Sequence, residues 1–360
     1  MDIHKPKPWR GPRKRLGEIG AIAVAVLIAG PALAQGGAAR PSAPPPTAPS
    51  PPNGPPGQPP PTGYRPQSVV DGVQVETPYF QDTLAVLDNL PTSAPARPKR
   101  ARKVLVFCKA GGYVHSVIPL TAFAIGALGD RTGAWATTIT YRLQDFTPER
   151  LANYDVVVLD NTTGAFLDDA DPVATSARRA ALLSYVRSGH GLVLTHAAGD
   201  AYHTNADSPG GPKSLWPEYS RMVGGFFKWH WLLPQQVTVK IDDPRSPINA
   251  AFAGRPFTIH DEIYTFEQNS FSRKNVHVLT SIDYSKMSPA DKAKEPAETR
   301  RADGDYALSW VRREGQGRVY YNALGHSEHV LSVPAILQQL TAGIQYAAGD
   351  LAANDSPPAR

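Results

Sequence analysis

Strand and helix signals alternate from Lys103 to Gly349, which predicts a single α/β domain at residues 102–350, a mostly parallel sheet with helices on both faces. Three apolar runs carry the expectation: Lys103–Cys108, Asp155–Asp160 and Gly191–His196 each read as a buried strand. Helix signals fall between them. Thr147-Pro148 and Asp171-Pro172 are caps with proline at the first helical position, and Gly189 and Gly349 are stops. Thr137–Tyr141 reads as a further short strand, and Gln236–Ile241, Phe257–Phe266, Val276–Ile282, Tyr306–Arg312 and Arg318–Asn322 as later ones. Gly315-Gln316-Gly317 reads as a hairpin turn. The last helix has Ser332 as its expected cap, Pro334 in its first turn, and Ile336, Leu340, Ile344 and Ala347 along one stripe. Met287–Gly304, charged and poor in apolar residues, reads as a surface loop.

The chain ahead of this domain has a different texture. Residues 1–34 combine a basic head (Lys5, Lys7, Arg10, Arg13, Lys14, Arg15), the apolar body Ile19–Ala29 and small residues at Ala32 and Ala34. That is the pattern of a cleaved secretory signal, shorter than the roughly 20 apolar residues a membrane span needs. The expected location is the periplasm or the outside, with membrane contact only in transit. Residues 35–101 read as a Pro-rich linker with one short segment, Ser68–Leu90, apolar enough to dock, and residues 351–360 as a disordered tail.

Charge and cysteine usage exclude several functions. Six of the 37 Lys/Arg and two of the 32 Asp/Glu lie in residues 1–34, so 31 bases and 30 acids follow. A balanced domain gives no footing for nucleic acid. The single cysteine, Cys108, supports neither an internal disulfide nor a cysteine zinc site, and reads as a small buried apolar residue. Nothing in the sequence sets the oligomeric state.

Five motifs carry the chemistry. They are Lys109–Ser116 with Tyr113 and His115; Gly191–Gly199 with His196; Trp216-Pro217-Glu218-Tyr219 running into Gly224-Gly225-Phe226-Phe227 and His230; His260–Phe266 with Asp261, Glu262 and Tyr264; and Trp310 with Gly315–Tyr321, closing on Leu324-Gly325-His326. In this order they resemble the ThuA-like (trehalose utilisation) family across nearly the whole domain. The resemblance implies a class I glutamine amidotransferase-like variant of the flavodoxin-like sheet, and a glucoside or keto-sugar derivative as the small-molecule partner. The chain departs from the family at Trp231, where proline is common, and after His326, where Ser327–Leu331 lacks the usual tryptophan. Both changes bear on substrate preference.

In parallel α/β sheets ligands gather beyond the carboxyl ends of the strands, which is where His115, His196 and His326 fall. Thr195-His196 stands where an amidotransferase would present its thiol, so a thiol-dependent glutaminase is not expected. His196, Glu262 and His230 are the candidate acid–base groups, for isomerisation, elimination or hydrolysis. Glu262, flanked by Ile263 and Tyr264, is expected to have a raised pKa. His115, Tyr113, Trp216, Tyr219, Asp261, Tyr264 and His326 are the candidate sugar contacts. No cofactor is required by the pattern. His196, His230, His326 and Glu262 are nonetheless the right ligand types for a divalent metal, although none is paired at helical spacing. The competing reading is a non-catalytic module that binds sugar or an envelope partner.

Overall fold

The computed structural model describes residues 67–70, 73–205, 208 and 211–358. The expected export signal, residues 1–34, and the stretch Gln35–Pro66 lie outside the described residues. Among those described, no helix is long and apolar enough to cross a membrane.

A two-stranded hairpin, β1 (Gln67–Val70) with β2 (Val73–Glu76), leads into α1 (Phe80–Asp88), which packs on α2 through the fully buried Val86. There follow β3 (Lys103–Phe107), α2 (Ile118–Thr132), β4 (Ala136–Thr140), α3 (Pro148–Leu151), β5 (Val156–Asp160), α4 (Pro172–Arg187) and β6 (Gly191–Thr195). After α5 (Pro217–Val223) come β7 (Phe227–Ile241), β8 (Phe257–Phe266), β9 (His277–Ile282), α6 (Pro289–Lys294), β10 (Ala307–Glu314), β11 (Gly317–Asn322) and α7 (Pro334–Ala347). Thr147 and Asp171 accept backbone N–H groups at the starts of α3 and α4, as their positions predict. Ser332 does not cap α7: it ends a 3₁₀ turn, and Val333 precedes the helix.

Strands β3 to β11 form one nine-stranded sheet, ordered β4-β3-β5-β6-β11-β10-β9-β7-β8. The first five are mutually parallel, and β10, β9, β7 and β8 continue antiparallel from β11. The sheet is therefore mixed, where a mostly parallel one was expected. Period and apolarity mark a strand without giving its direction, and a hairpin connection needs only a short turn. The parallel half is apolar on both faces. Leu105, Val157, Leu159 and Leu194 meet Leu182 and Met222 on one side, while Val104, Val106, Val158 and Val193 meet Leu120, Ile125 and Leu337 on the other.

Three stretches are more ordered than their composition suggests. In the expected linker, the backbone N–H of Ala96 donates to Gln345 Oε1 at 2.8 Å, and that of Lys99 to Asp350 Oδ1 at 2.9 Å. In the expected tail, Asp355 pairs with Arg313 at 2.5 Å and accepts from the Tyr346 hydroxyl at 2.9 Å. In the expected surface loop, Trp231 Nε1 donates to the Asp291 carbonyl at 2.9 Å, and the buried Arg301 donates to the Phe266 carbonyl, also at 2.9 Å. Charged residues with a partner inside the fold give the same local composition as a solvated loop.

Asp160, at the carboxyl end of β5, is wholly buried with no cation beside it. Burial pushes its pKa up to about 7, against smaller lowering effects from hydrogen bonds with Asn161, Cys108 and Thr195. The unfolded carboxyl ionises near 3.8. The folded chain thus binds one more proton between those values, and stability falls as pH rises from about 4 to 7. Asp160→Asn keeps the acceptor facing Asn161 and removes the titration. Thermal melts should show it more stable than the parent at pH 8, by a few kcal/mol at about 1.4 kcal/mol per pKa unit, with the gain shrinking toward pH 5. An equal effect at both pH values would contradict this account.

Candidate functional site

The carboxyl ends of β3, β6 and β11 open on one edge of the sheet, and the loops there deliver three histidines. The first is held by a locked turn. Gly111 N–H donates to the Thr163 carbonyl at 2.8 Å, and Thr163 Oγ1 donates to the Tyr113 carbonyl at 2.7 Å. A Cβ on Gly111 would stand 2.6 Å from the Ala165 backbone, so this contact requires glycine. The turn places His115 in the interior, with its ring 5.3 Å from that of His196 and 5.1 Å from that of His326.

His196 begins a 3₁₀ turn directly after β6, with φ at +31°. Two hydrogen bonds hold that unusual backbone: the Tyr321 hydroxyl donates to the His196 carbonyl at 2.7 Å, and His196 Nδ1 donates to the Ala323 carbonyl at 2.6 Å. A carbonyl can only accept, so Nδ1 carries the proton. Nε2, 3.2 Å from Glu262 Oε2, is the nitrogen turned to the site. His326 is set by Asp261, whose carboxylate accepts from Gly325 N–H at 2.7 Å, Ser327 N–H at 3.1 Å and Ser327 Oγ at 2.8 Å.

Glu262 is the hub. It lies within β8, and His230, paired across the ladder with Tyr264 and so diagonal to Glu262, lies within β7. His230 Nδ1 stands 2.5 Å from Glu262 Oε1, and His326 Nδ1 lies 3.1 Å from Oε2. Burial alone would push the Glu262 pKa up, as predicted from its apolar neighbours. Hydrogen bonding to His196, His230 and His326 outweighs it and holds the carboxyl well below the usual range. That expectation is corrected: the neighbours supply imidazole partners as well as apolar surface. Burial lowers the His326 pKa, but the Glu262 carboxylate outweighs it and the net shift is upward. Burial, then the charges of His196 and His326, push His115 well below its ordinary value.

This donor set fits a divalent cation. One ligand atom each from His115, His196, Glu262 and His326 lie within 4.8 Å of one another. Four ligands at about 2.0–2.1 Å around a tetrahedral ion stand about 3.3–3.4 Å apart, so the widest pair must draw in by about an ångström, within reach of small side-chain rotations. Among the described residues, His115 Nδ1 is buried and completes no hydrogen bond, and the buried His326 Nδ1 meets only the Glu262 carboxylate, as an ion pair. The backbone acceptor on His196 Nδ1 is the outer partner that fixes a ligand's tautomer.

The family model "ThuA: Trehalose utilisation" matches residues 103–347. The chain belongs to the ThuA family. A putative ThuA-like protein from Bacteroides uniformis has a similar fold, with TM-score 0.50 and 22% identity over 70% of this chain and 95% of that one. Another, from Parabacteroides merdae, gives 0.48 and 17% over 71% and 93%. No curated protein matches.

Of the residues singled out from sequence, the ThuA domain brings together His115, His196, His230, Glu262 and His326. It lines them with Tyr264, whose ring is 4.2 Å from that of His196, and Tyr113, 4.8 Å from His115. It removes three others. Trp216 and Tyr219 are buried behind the His196 turn, stacked at 5.3 Å, and the Tyr219 hydroxyl donates to the Ala198 carbonyl at 2.7 Å. They support the turn and offer no face to a sugar. Asp261, wholly buried, spends its carboxylate on the 325–327 loop. Phe227 was missed as a site residue; its ring lies 4.5 Å from Tyr264 and 5.5 Å from His230. The motif contained it, but only the β7–β8 pairing shows which face it lines.

The brace and sugar-contact roles of Asp261 separate in urea unfolding. Asp261→Ala strands buried N–H groups and should cost about 2–4 kcal/mol. A sugar contact facing solvent would leave stability within about 0.5 kcal/mol.

Proposed function

We propose that this ThuA domain is a carbohydrate-active enzyme that holds a divalent metal and transfers a proton beside the carbonyl of a keto-sugar glucoside. The observation that carries the proposal is the convergence of His115, His196 and His326 on Glu262, with His115 Nδ1 buried and without a hydrogen bond among the described residues. An imidazole nitrogen left so in the interior costs about 1–3 kcal/mol, a cost that coordination removes. The family's trehalose-utilisation description supplies the sugar class.

When bound, the ion supplies a Lewis acid able to polarise a keto oxygen. The chain supplies the rest. Glu262 fixes His230 through Nδ1, leaving Nε2 as the nitrogen that can exchange a proton with substrate. His230 is also the most exposed of the four histidines, at 32% of its side chain, against 17% for His326. Tyr264 and Phe227 wall this region. We read the parallel half of the sheet as the class I glutamine amidotransferase-like part. No thiol role fits it: Cys108 is buried, and burial, then the charge of Asp160, push its pKa well up.

Elemental analysis and turnover on a keto-glucoside panel test the proposal together. About one divalent ion per chain is expected, and His196→Ala or His326→Ala should lose it. His230→Ala should keep the ion while turnover falls by about 10²–10⁴-fold. Full turnover after chelation, or sugar binding without product across the panel, would overturn the catalytic reading. The basic and apolar segment at residues 1–34 supports export, so mass spectrometry should find the mature chain starting near Gln35 outside the cytoplasm; an intact Met1 there would contradict cleavage.

A further inference from the structure

Around the polar cluster the protein exposes apolar side chains on two separate elements. Tyr113 and Val114, next to His115, are 57% and 68% exposed. Their loop is not loosely held. Gly111 N–H donates to the Thr163 carbonyl at 2.8 Å, Gly112 N–H to Thr163 Oγ1 at 3.2 Å, and Thr163 Oγ1 to the Tyr113 carbonyl at 2.7 Å. The exposed pair thus sits on a fixed backbone. The Tyr113 ring lies edge-on to that of His115, with centroids 4.8 Å apart, which keeps it beside the polar cluster.

The second element is β7. Between the pairs Trp231–Ile263 and Gln235–Asp261 the ladder is irregular, and Leu232, Leu233 and Pro234 stand across from Glu262 alone. Trp231 and Leu233 turn inward, at 1% and 6% exposure, while Leu232 stays 55% exposed two residues from His230. A single exposed leucine or valine is ordinary. Here the exposed apolar side chains come from two distant stretches of sequence, one adjoining His115 and one next in alternation to His230 along β7. That combination suits a ligand site with an apolar wall and a few convergent polar groups.

We propose that Tyr113, Val114 and Leu232 form a subsite for an apolar aglycone, so that the preferred substrate is a glucoside of an aryl or bulky alkyl alcohol rather than a disaccharide. This rests on the carbohydrate reading above. A second hexose, as in trehalose, would lay hydroxyls against Val114 and Leu232, which have no donor or acceptor to replace lost water. An aryl group loses nothing there and removes apolar surface from water.

Ligand-observed NMR titration of the metal-loaded full chain with phenyl β-glucoside, methyl β-glucoside and trehalose tests the subsite. None of these carries the keto group, so none is turned over. Phenyl glucoside should bind at least about tenfold tighter than the other two. The double substitution Val114→Ser with Leu232→Ser should erase that preference and leave methyl glucoside affinity within about twofold; both positions are exposed, so the fold should tolerate it. Equal affinity for phenyl and methyl glucosides, or tightest binding of trehalose, overturns the subsite alone. If none of the three binds, the carbohydrate reading falls and the subsite with it.

Discussion

A carboxylate in a protein interior keeps its charge only where cations or strong donors meet it, because burial penalises the ionised form by several kcal/mol. Glu262, with 6% of its surface exposed, is in that position, and the sheet answers with His196, His230 and His326. The requirement is mutual. Imidazoles crowded together repel when protonated, as the lowered His115 pKa reflects after burial. The cluster therefore holds a negative hub among rings that cannot all be cations, an arrangement that a divalent ion would complete.

The mixed sheet is the means of assembly. Its parallel half ends three strands at one edge, which brings His115, His196 and His326 to a common region on short loops. The antiparallel half contributes differently: β7 and β8 pair along their length, so His230 and Glu262 meet within the ladder. The halves join at β11, parallel to β6 and antiparallel to β10. The loop leaving β11 carries His326 and is tied to β8 by Asp261. Alternation along a strand explains the division of labour, since neighbouring residues point to opposite faces. Asp261 reaches backbone amides, and Glu262 reaches the rings.

Much of this was legible in the sequence. Apolar runs gave β3, β5 and β6, caps gave α3 and α4, and the motif order led to His115, His196, His230, Glu262 and His326. Strand direction was not legible, because a two-residue period is the same in either direction, although the Gly315-Gln316 turn already marked β10 and β11 as a hairpin. The start of β7 was hidden because Lys228, His230 and Pro234 interrupt its apolar pattern. Trp216, Tyr219 and Asp261 looked like sugar contacts because their types suit that role. Only the packing shows that Tyr219 and Asp261 already spend their polar atoms and that Trp216 is buried.

The central claim is that three imidazoles and one carboxylate share a single ion. X-ray absorption at the metal edge of the reconstituted full chain measures this directly. The account predicts outer-shell scattering from three imidazoles, with light N/O ligands at about 2.0–2.2 Å, and loss of one imidazole contribution in His326→Ala. A first shell of oxygen alone, with no imidazole scattering and no change in that variant, would contradict it.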